Sequence, residues 1–254
     1  MTSKNHIIII GGTRGSGLHF TKRKLKKRYM VTTIGRKPDF NIENSSYNEE
    51  DFNYLSVNFH DAESVKKAIN IAIKKFGVPS ELVFFQRYRG DDEWDGEIQV
   101  SITITNDVIN VLVNEFKIKN LSIVVVLSNA SRIIVHDQPV SYHVCKGALE
   151  QLIRYYAVNL GPEGIRVNGI SPSTVIKKEN KKYYNSEGKT KMKYLSSIIP
   201  LRRMGTSRDV CDGIDFLLGK QSKFITGQII SIDGGASLMS NESITELLHN
   251  EKFL

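Results

Sequence analysis

The segment Gly11-Gly12-Thr13-Arg14-Gly15-Ser16-Gly17 follows an apolar run and opens a helix-length stretch. Glycines in that position permit a tight turn and let backbone N–H groups approach a pyrophosphate at the positive end of a helix. Gly11, Thr13, Arg14, Gly15, Ser16 and Gly17 are therefore candidate dinucleotide contacts. An acidic residue closing the next strand would bind the adenosine ribose 2′-hydroxyl and favour NAD. Here that run ends Thr33-Ile34-Gly35-Arg36-Lys37, with no acid. Arg14, Arg36 and Lys37 instead bring cations to where a 2′-phosphate would lie, and a guanidinium grips phosphate as a fork. The expected cofactor is NADP(H). Farther on, Tyr142 and Lys146 stand four apart, on one face of a helix. That spacing is common by itself. Its setting singles it out, because the apolar run 121–127 that precedes it ends at Ser128.

Such residues need a frame. Apolar runs of strand character recur at Ile7–Ile10, Met30–Ile34, Tyr54–Val57, Leu82–Phe85, Leu121–Leu127, Ile165–Ile170 and Gln228–Ile232. Several are continuous in Ile and Val, as in parallel strands buried on both faces. Helix-length segments lie between them. Asp61-Ala62-Glu63-Ser64 opens one whose apolar face is Val65, Ala68, Ile69, Ala72, Ile73 and Phe76, and Gly77 with Pro79 ends it. Others are expected over about 93–116, 141–160 and 206–218. The alternation implies right-handed crossovers and an α/β fold, a Rossmann-like doubly wound parallel sheet with helices on both faces. No internal repeat or linker interrupts it, so residues 1–240 read as one domain and 241–254 as a C-terminal tail. The polar stretch Lys37–Asn53 is the longest loop-like segment before Pro172.

Composition narrows the function class. The 254 residues are 40% hydrophobic and 24% charged, enough apolar material for a sizeable core and unlike a disordered chain. No apolar run approaches the ~20 residues that cross a bilayer, so no membrane partner is expected. Two cysteines, Cys145 and Cys211, make no disulfide framework and suit a reducing cytoplasm. No Cys/His cluster has metal-ligand spacing. The net charge of +8 is concentrated. Residues 21–28 hold six cations and no acid, and residues 177–199 hold seven lysines against Glu179 and Glu187. The first cluster reads as a solvated helix face complementing the helix dipole. With no nucleic-acid motif beside the charge, nucleic acid is not an expected partner.

Further motifs follow in order: Asn159-Leu160-Gly161-Pro162-Glu163-Gly164-Ile165-Arg166-Val167-Asn168, Ser171-Pro172, Pro200-Leu201-Arg202-Arg203-Met204-Gly205, Phe224-Ile225-Thr226-Gly227-Gln228 and Asp233-Gly234-Gly235. Together with the Gly-x-x-x-Gly-x-Gly loop and Tyr142/Lys146, the series resembles the short-chain dehydrogenase/reductase family from the first strand to about residue 238. It is similar to the 3-oxoacyl carrier-protein reductase branch. The resemblance implies an NADP-dependent oxidoreductase interconverting a ketone and a secondary alcohol. Tyr142 would protonate the carbonyl oxygen. A phenol of ordinary pKa near 10 needs a neighbouring cation for this work, which Lys146 would supply while holding the nicotinamide ribose. Ser128 would hydrogen-bond the substrate oxygen. Asn58, Phe59, Pro172, Thr174 and Val175 fall where the family also contacts the cofactor. A homotetramer or homodimer is implied, with Tyr142–Leu160 in the interface.

The sequence also departs from the family. The Asn-Asn-Ala-Gly after the fourth strand is Phe85-Gln86-Arg87-Tyr88, the helical Asn of the catalytic tetrad falls at Ser101, and the usual Pro-Gly is Pro172-Ser173. A thirteen-residue Ser–Tyr spacing would point at Asn129. These departures motivate an alternative, a catalytically weakened dinucleotide-binding sensor or scaffold. Residues 173–199 take the place of the family's substrate flap and carry Lys177, Lys178, Lys181, Lys182, Lys189, Lys191 and Lys193 among Tyr183, Tyr184 and Tyr194. The segment is too polar to pack as core. It reads either as a soluble mobile loop or as a cationic flap drawing in an anionic small-molecule substrate.

Overall fold

The computed structural model describes residues 4–37, 42, 47–176, 182, 184 and 186–249. Among these, seven strands form one parallel sheet: β1 (His6–Ile10), β2 (Met30–Gly35), β3 (Phe52–Ser56), β4 (Glu81–Phe84), β5 (Ser122–Val126), β6 (Arg166–Pro172) and β9 (Ile229–Ile232), in the order β3-β2-β1-β4-β5-β6-β9. All seven expected strands are present, and the doubly wound α/β fold is confirmed. The chain reverses its direction of strand addition between β1 and β4, and ligands of such sheets bind in the crevice at the carboxyl ends flanking that point.

The β1 isoleucines show why the sheet is central. All four are fully buried, and period-two alternation sends them to opposite layers. Ile7 and Ile9 pack with Phe20 and Leu25 of α1 (Gly15–Lys26) and with Val210, Ile214 and Leu217 of a later helix, Ser207–Leu218. Ile8 and Ile10 face α2 (Ala62–Phe76), a helix beginning at Asp95, and Val140–Leu160. The Asp61 side chain caps α2 by accepting from the Glu63 N–H at 3.1 Å, and Gly77 ends it at φ +78°. The helix expected over 93–116 runs continuously as α3, comprising Asp95–Glu97, a π-helical Ile98–Thr103, Ile104–Asn110 and a π-helical Val111–Glu115. Val140–Leu160 is α4.

Two expectations are corrected. The 21–28 cluster is a solvated face only at Lys26, Lys27 and Arg28; its other cations turn inward. Lys24 is 2% exposed, 2.7 Å from Glu81 and 3.1 Å from Asp215. Arg23 pairs with Asp212 and Asp215, and Lys27 reaches Asp215 at 2.6 Å. Burial opposes the charge on Lys24, but Glu81 and Asp215 outweigh it and raise its pKa. Removing one partner from such a buried set costs about 3–5 kcal/mol. The described part of residues 173–199 also packs, where a polar flap was expected. β7 (Val175–Ile176) pairs with β8 (Gly205–Thr206), and α5 (Lys189–Ile198) buries Met192 against Ile199 and Met204. Lys177, Lys178, Lys181 and Tyr183 lie outside the described residues. Within the expected tail, Asn241–His249 form a helix against α5 (α7, with Ser207–Leu218 as α6).

Candidate active site

Every expected site residue sits at or just beyond the carboxyl end of a strand, or on the helix that follows. After β1, Gly11 takes φ +82° and donates its N–H to the Ile34 carbonyl at 2.8 Å. A Cβ there would lie 2.6 Å from the Gln86 nitrogen, and one on Gly17 would lie 2.5 Å from the Gly11 carbonyl oxygen. Only glycine lets this loop close against both α1 and the β4 loop. Arg14 stands at the N-cap of α1 in extended conformation, and the first turn holds no acid. Its N–H groups are thus positioned for an anion. Gly15 is also left-handed, at φ +52°. Thr13 abuts Gly35, while the Ser16 hydroxyl lies 3.1 Å from the Ser207 hydroxyl. Arg14, Arg36 and Lys37 are all exposed at this end of the sheet.

The other candidates divide by what their side chains already do. Asn58 is exposed, and its side chain accepts from the His60 N–H at 3.1 Å. The Phe59 ring is buried in the core, so only its backbone is presented, with the carbonyl accepting from Gln99 at 3.1 Å. Pro172 is the last residue of β6, Thr174 is exposed, and Val175 is buried in β7. Two buried polar atoms lack a partner nearby: Gln86 Oε1 beside the glycine loop and Ser141 Oγ beside Tyr142. The close-packed glycine cradle and the open helix terminus fit a bound dinucleotide.

Tyr142 and Lys146 lie on the first turns of α4, 8% and 3% exposed. The Lys146 ammonium donates to the Val126 carbonyl at 3.3 Å and sits 5.4 Å from the Tyr142 ring centre. Ser128 caps the turn Asn129–Ser131: its hydroxyl accepts from the Ala130 N–H and donates to Asn129 Oδ1, both at 3.2 Å. That turn is fastened to α4 through Glu150, which accepts from Ser131 at 2.7 Å and Arg132 at 3.0 Å. Burial raises the Glu150 pKa, but the Ser131, Arg132 and Arg154 hydrogen bonds outweigh it and hold the carboxyl low. Ser128 is thus fixed relative to the helix that carries Tyr142 and Lys146. Cys145 is buried between them, its thiol pushed up to about 11 by burial and by Glu97, with Lys146 opposing.

Some site features escape the sequence pattern. Ser101 lies in the first π-helical stretch and donates its hydroxyl to the buried Glu97 carboxylate. Thr105 donates to the Ser101 carbonyl at 2.6 Å and receives the Gln86 amide at 2.8 Å. Arg87 stacks its guanidinium 4.5 Å from the Tyr142 ring centre. The available signal was Arg87, a long cation where the family has Ala. Arg166 and Asn168 serve the fold instead: Arg166 binds the Leu217 and Ile225 carbonyls, and Asn168 clamps Ile225 and Gln228.

The fold and this arrangement are those of a short-chain dehydrogenase/reductase. The chain belongs to that family of oxidoreductases: a family profile described as enoyl-(acyl carrier protein) reductase matches residues 30–237. Two structures of ElxO, one with NADP and one with NADPH bound, are 28% and 27% identical and superpose with a TM-score of 0.80, covering 93% of this chain and all of theirs. The 3α-hydroxysteroid dehydrogenase of Mediterraneibacter gnavus is 25% identical over 93% of this chain and 98% of its own length. Glucose 1-dehydrogenase of Gluconobacter oxydans is 34% identical over a shorter region, 45% of this chain. Local matches of this kind span only 42%, 34% and 44% of three curated relatives. Among the described residues, no helix is long and apolar enough to cross a membrane, and no group of three or more His, Cys, Asp or Glu is placed to hold a metal.

Proposed function

We propose that the protein is an NADP(H)-dependent oxidoreductase interconverting a ketone and a secondary alcohol, with Tyr142 as acid and base. The observation that carries this reading is the Tyr142–Lys146 pair, buried on one helix and tied to Val126 two residues before Ser128. The nicotinamide, when bound, gives or takes the hydride. Tyr142 gives its phenolic proton to the carbonyl oxygen, Lys146 supplies the adjacent positive charge, and Ser128 orients the oxygen by donating to it. Gly11, Thr13, Gly15, Ser16 and Gly17 would hold the pyrophosphate, and Arg14, Arg36 and Lys37 the 2′-phosphate. Asn58 and the Phe59 backbone would border the adenine. Pro172, Thr174 and Val175 would border the nicotinamide. The NADP- and NADPH-bound ElxO structures support this cofactor.

The exposed Val140, Val144, Tyr155 and Val158 on α4 support a dimer or tetramer through that helix. A second reading, a dinucleotide-binding sensor, is favoured by the Ser101 hydroxyl being committed to Glu97. NADPH oxidation against a panel of β-ketoesters, acyl thioesters and keto sugars, with the corresponding oxo acids and sugar phosphates, separates the two. Stoichiometric alcohol formation supports the enzyme. Tight NADPH binding without turnover of any carbonyl supports the sensor.

A further inference from the structure

Arg87 occupies the β4 loop beside the proposed reaction centre, half-buried and stacked on Tyr142. Its guanidinium donates to Gln138 Oε1, a neutral amide. Among the described residues, no carboxylate stands within ion-pairing distance of it. The residues that hold this arrangement are themselves tied down. His143, next to Tyr142, accepts the Val135 N–H at 2.9 Å through Nε2, which leaves Nδ1 to donate to the Pro139 carbonyl at 2.9 Å. The Gln138 N–H returns to the Val135 carbonyl at 3.0 Å. The loop presenting Gln138 is therefore clipped to the turn of α4 that carries Tyr142. Asp137 of the same loop is exposed and pairs with Lys191 of α5 at 3.5 Å, so its charge is taken up outside the Arg87 contact. A half-buried guanidinium is costly without a counter-charge, and its fork geometry matches planar oxyanions. Stacking on the phenol fixes its plane.

Resting on the proposed ketone chemistry, we infer that Arg87 is a specificity-determining residue that takes an oxyanion group of the substrate, a carboxylate or phosphate close to the reacting carbonyl. Such substrates are 2-oxo and 3-oxo acids, or ketones phosphorylated on a neighbouring carbon. Esters and thioesters of the same acids lack the charge and lose the contact.

The test compares kcat/KM with NADPH for acetoacetate against methyl acetoacetate, and for dihydroxyacetone phosphate against dihydroxyacetone, in wild type and R87Q. The anionic member of at least one pair is expected to be preferred about tenfold or more, and R87Q to lower that ratio about ten- to hundredfold. Taking the ratio cancels any loss of Tyr142 positioning common to both compounds. A preference in the first pair identifies a carboxylate, and one in the second a phosphate. Ketones reduced equally well with and without the anion would overturn the role of Arg87 while leaving the ketone chemistry intact. Should no compound turn over, calorimetric titration with acetoacetate and dihydroxyacetone phosphate decides the matter. Binding lost in R87Q supports the anion site independently of turnover, and no binding of either probe to wild type overturns the anion site while leaving the ketone chemistry to its own test.

Discussion

Acidification should unfold this protein partly through His6, the first residue of β1. The ring is 2% exposed, with Nδ1 2.7 Å from the Gly77 carbonyl and Nε2 3.0 Å from the Thr32 hydroxyl. Because a carbonyl only accepts, Nδ1 carries the proton, and Nε2 is free to accept from Thr32. Protonating Nε2 removes that acceptor and buries a charge. Burial accordingly pushes the pKa down from 6.5 to about 4, with the Gly77 bond partly opposing. The unfolded chain therefore takes up its proton first as pH falls. The stabilisation is intact above about pH 6.5 and is lost as pH drops toward 4. Linkage gives a loss of about 2 kcal/mol from this residue between pH 7 and pH 5, one pKa unit being worth about 1.4 kcal/mol. Urea unfolding followed by circular dichroism at both pH values, in wild type and His6→Gln, isolates it. The variant should lose about 2 kcal/mol less than wild type over that interval. Equal losses in the two proteins would refute the role of His6.

Fluorescence titration should show NADPH binding more tightly than NADH, with Arg14→Ala narrowing the gap about tenfold or more, since a charge-assisted contact is worth about 1.5–3 kcal/mol; equal wild-type affinities would refute the 2′-phosphate assignment. Lys146→Ala should lower both kcat and NADPH affinity, read by steady-state kinetics and the same titration, and an effect on neither would remove Lys146 from the site. Because exposed charges act over a Debye length of ~8–10 Å near physiological salt, kcat/KM should fall as ionic strength rises while kcat changes little. Replacing Lys189, Lys191 and Lys193 by Gln should flatten that profile, and an unchanged profile would return the segment to a plain soluble surface.

Much of the frame was legible because its signals are local. The Ile7–Ile10 run, the glycine loop and the Asp61 and Gly77 ends of α2 each announce themselves within a few residues, and the structure follows them closely. What stayed hidden depends on partners distant in the chain. Lys24 meets Glu81 and Asp215 only because α1, β4 and α6 converge, so a run of cations looked like a wet surface. Arg87 meets Tyr142, and Ser101 meets Glu97, through the packing of the β4 loop and α3 around α4. Burial of Met192 beneath α5 likewise needs Ile199 and Met204 brought alongside it, which outweighs the polarity of the segment.

The central claim is hydride delivery to a carbonyl with Tyr142 as the proton donor, and isotope transfer tests it most directly. NADPH carrying deuterium at its transferable position would be incubated with the carbonyl compound turned over best, and the product analysed by mass spectrometry. Wild type should yield an alcohol deuterated on the carbinol carbon, while Tyr142→Phe should bind NADPH as wild type does and form no deuterated alcohol above background. A wild type that transfers no deuterium to any carbonyl, or a Tyr142→Phe variant that transfers it at most of the wild-type rate, would contradict the claim.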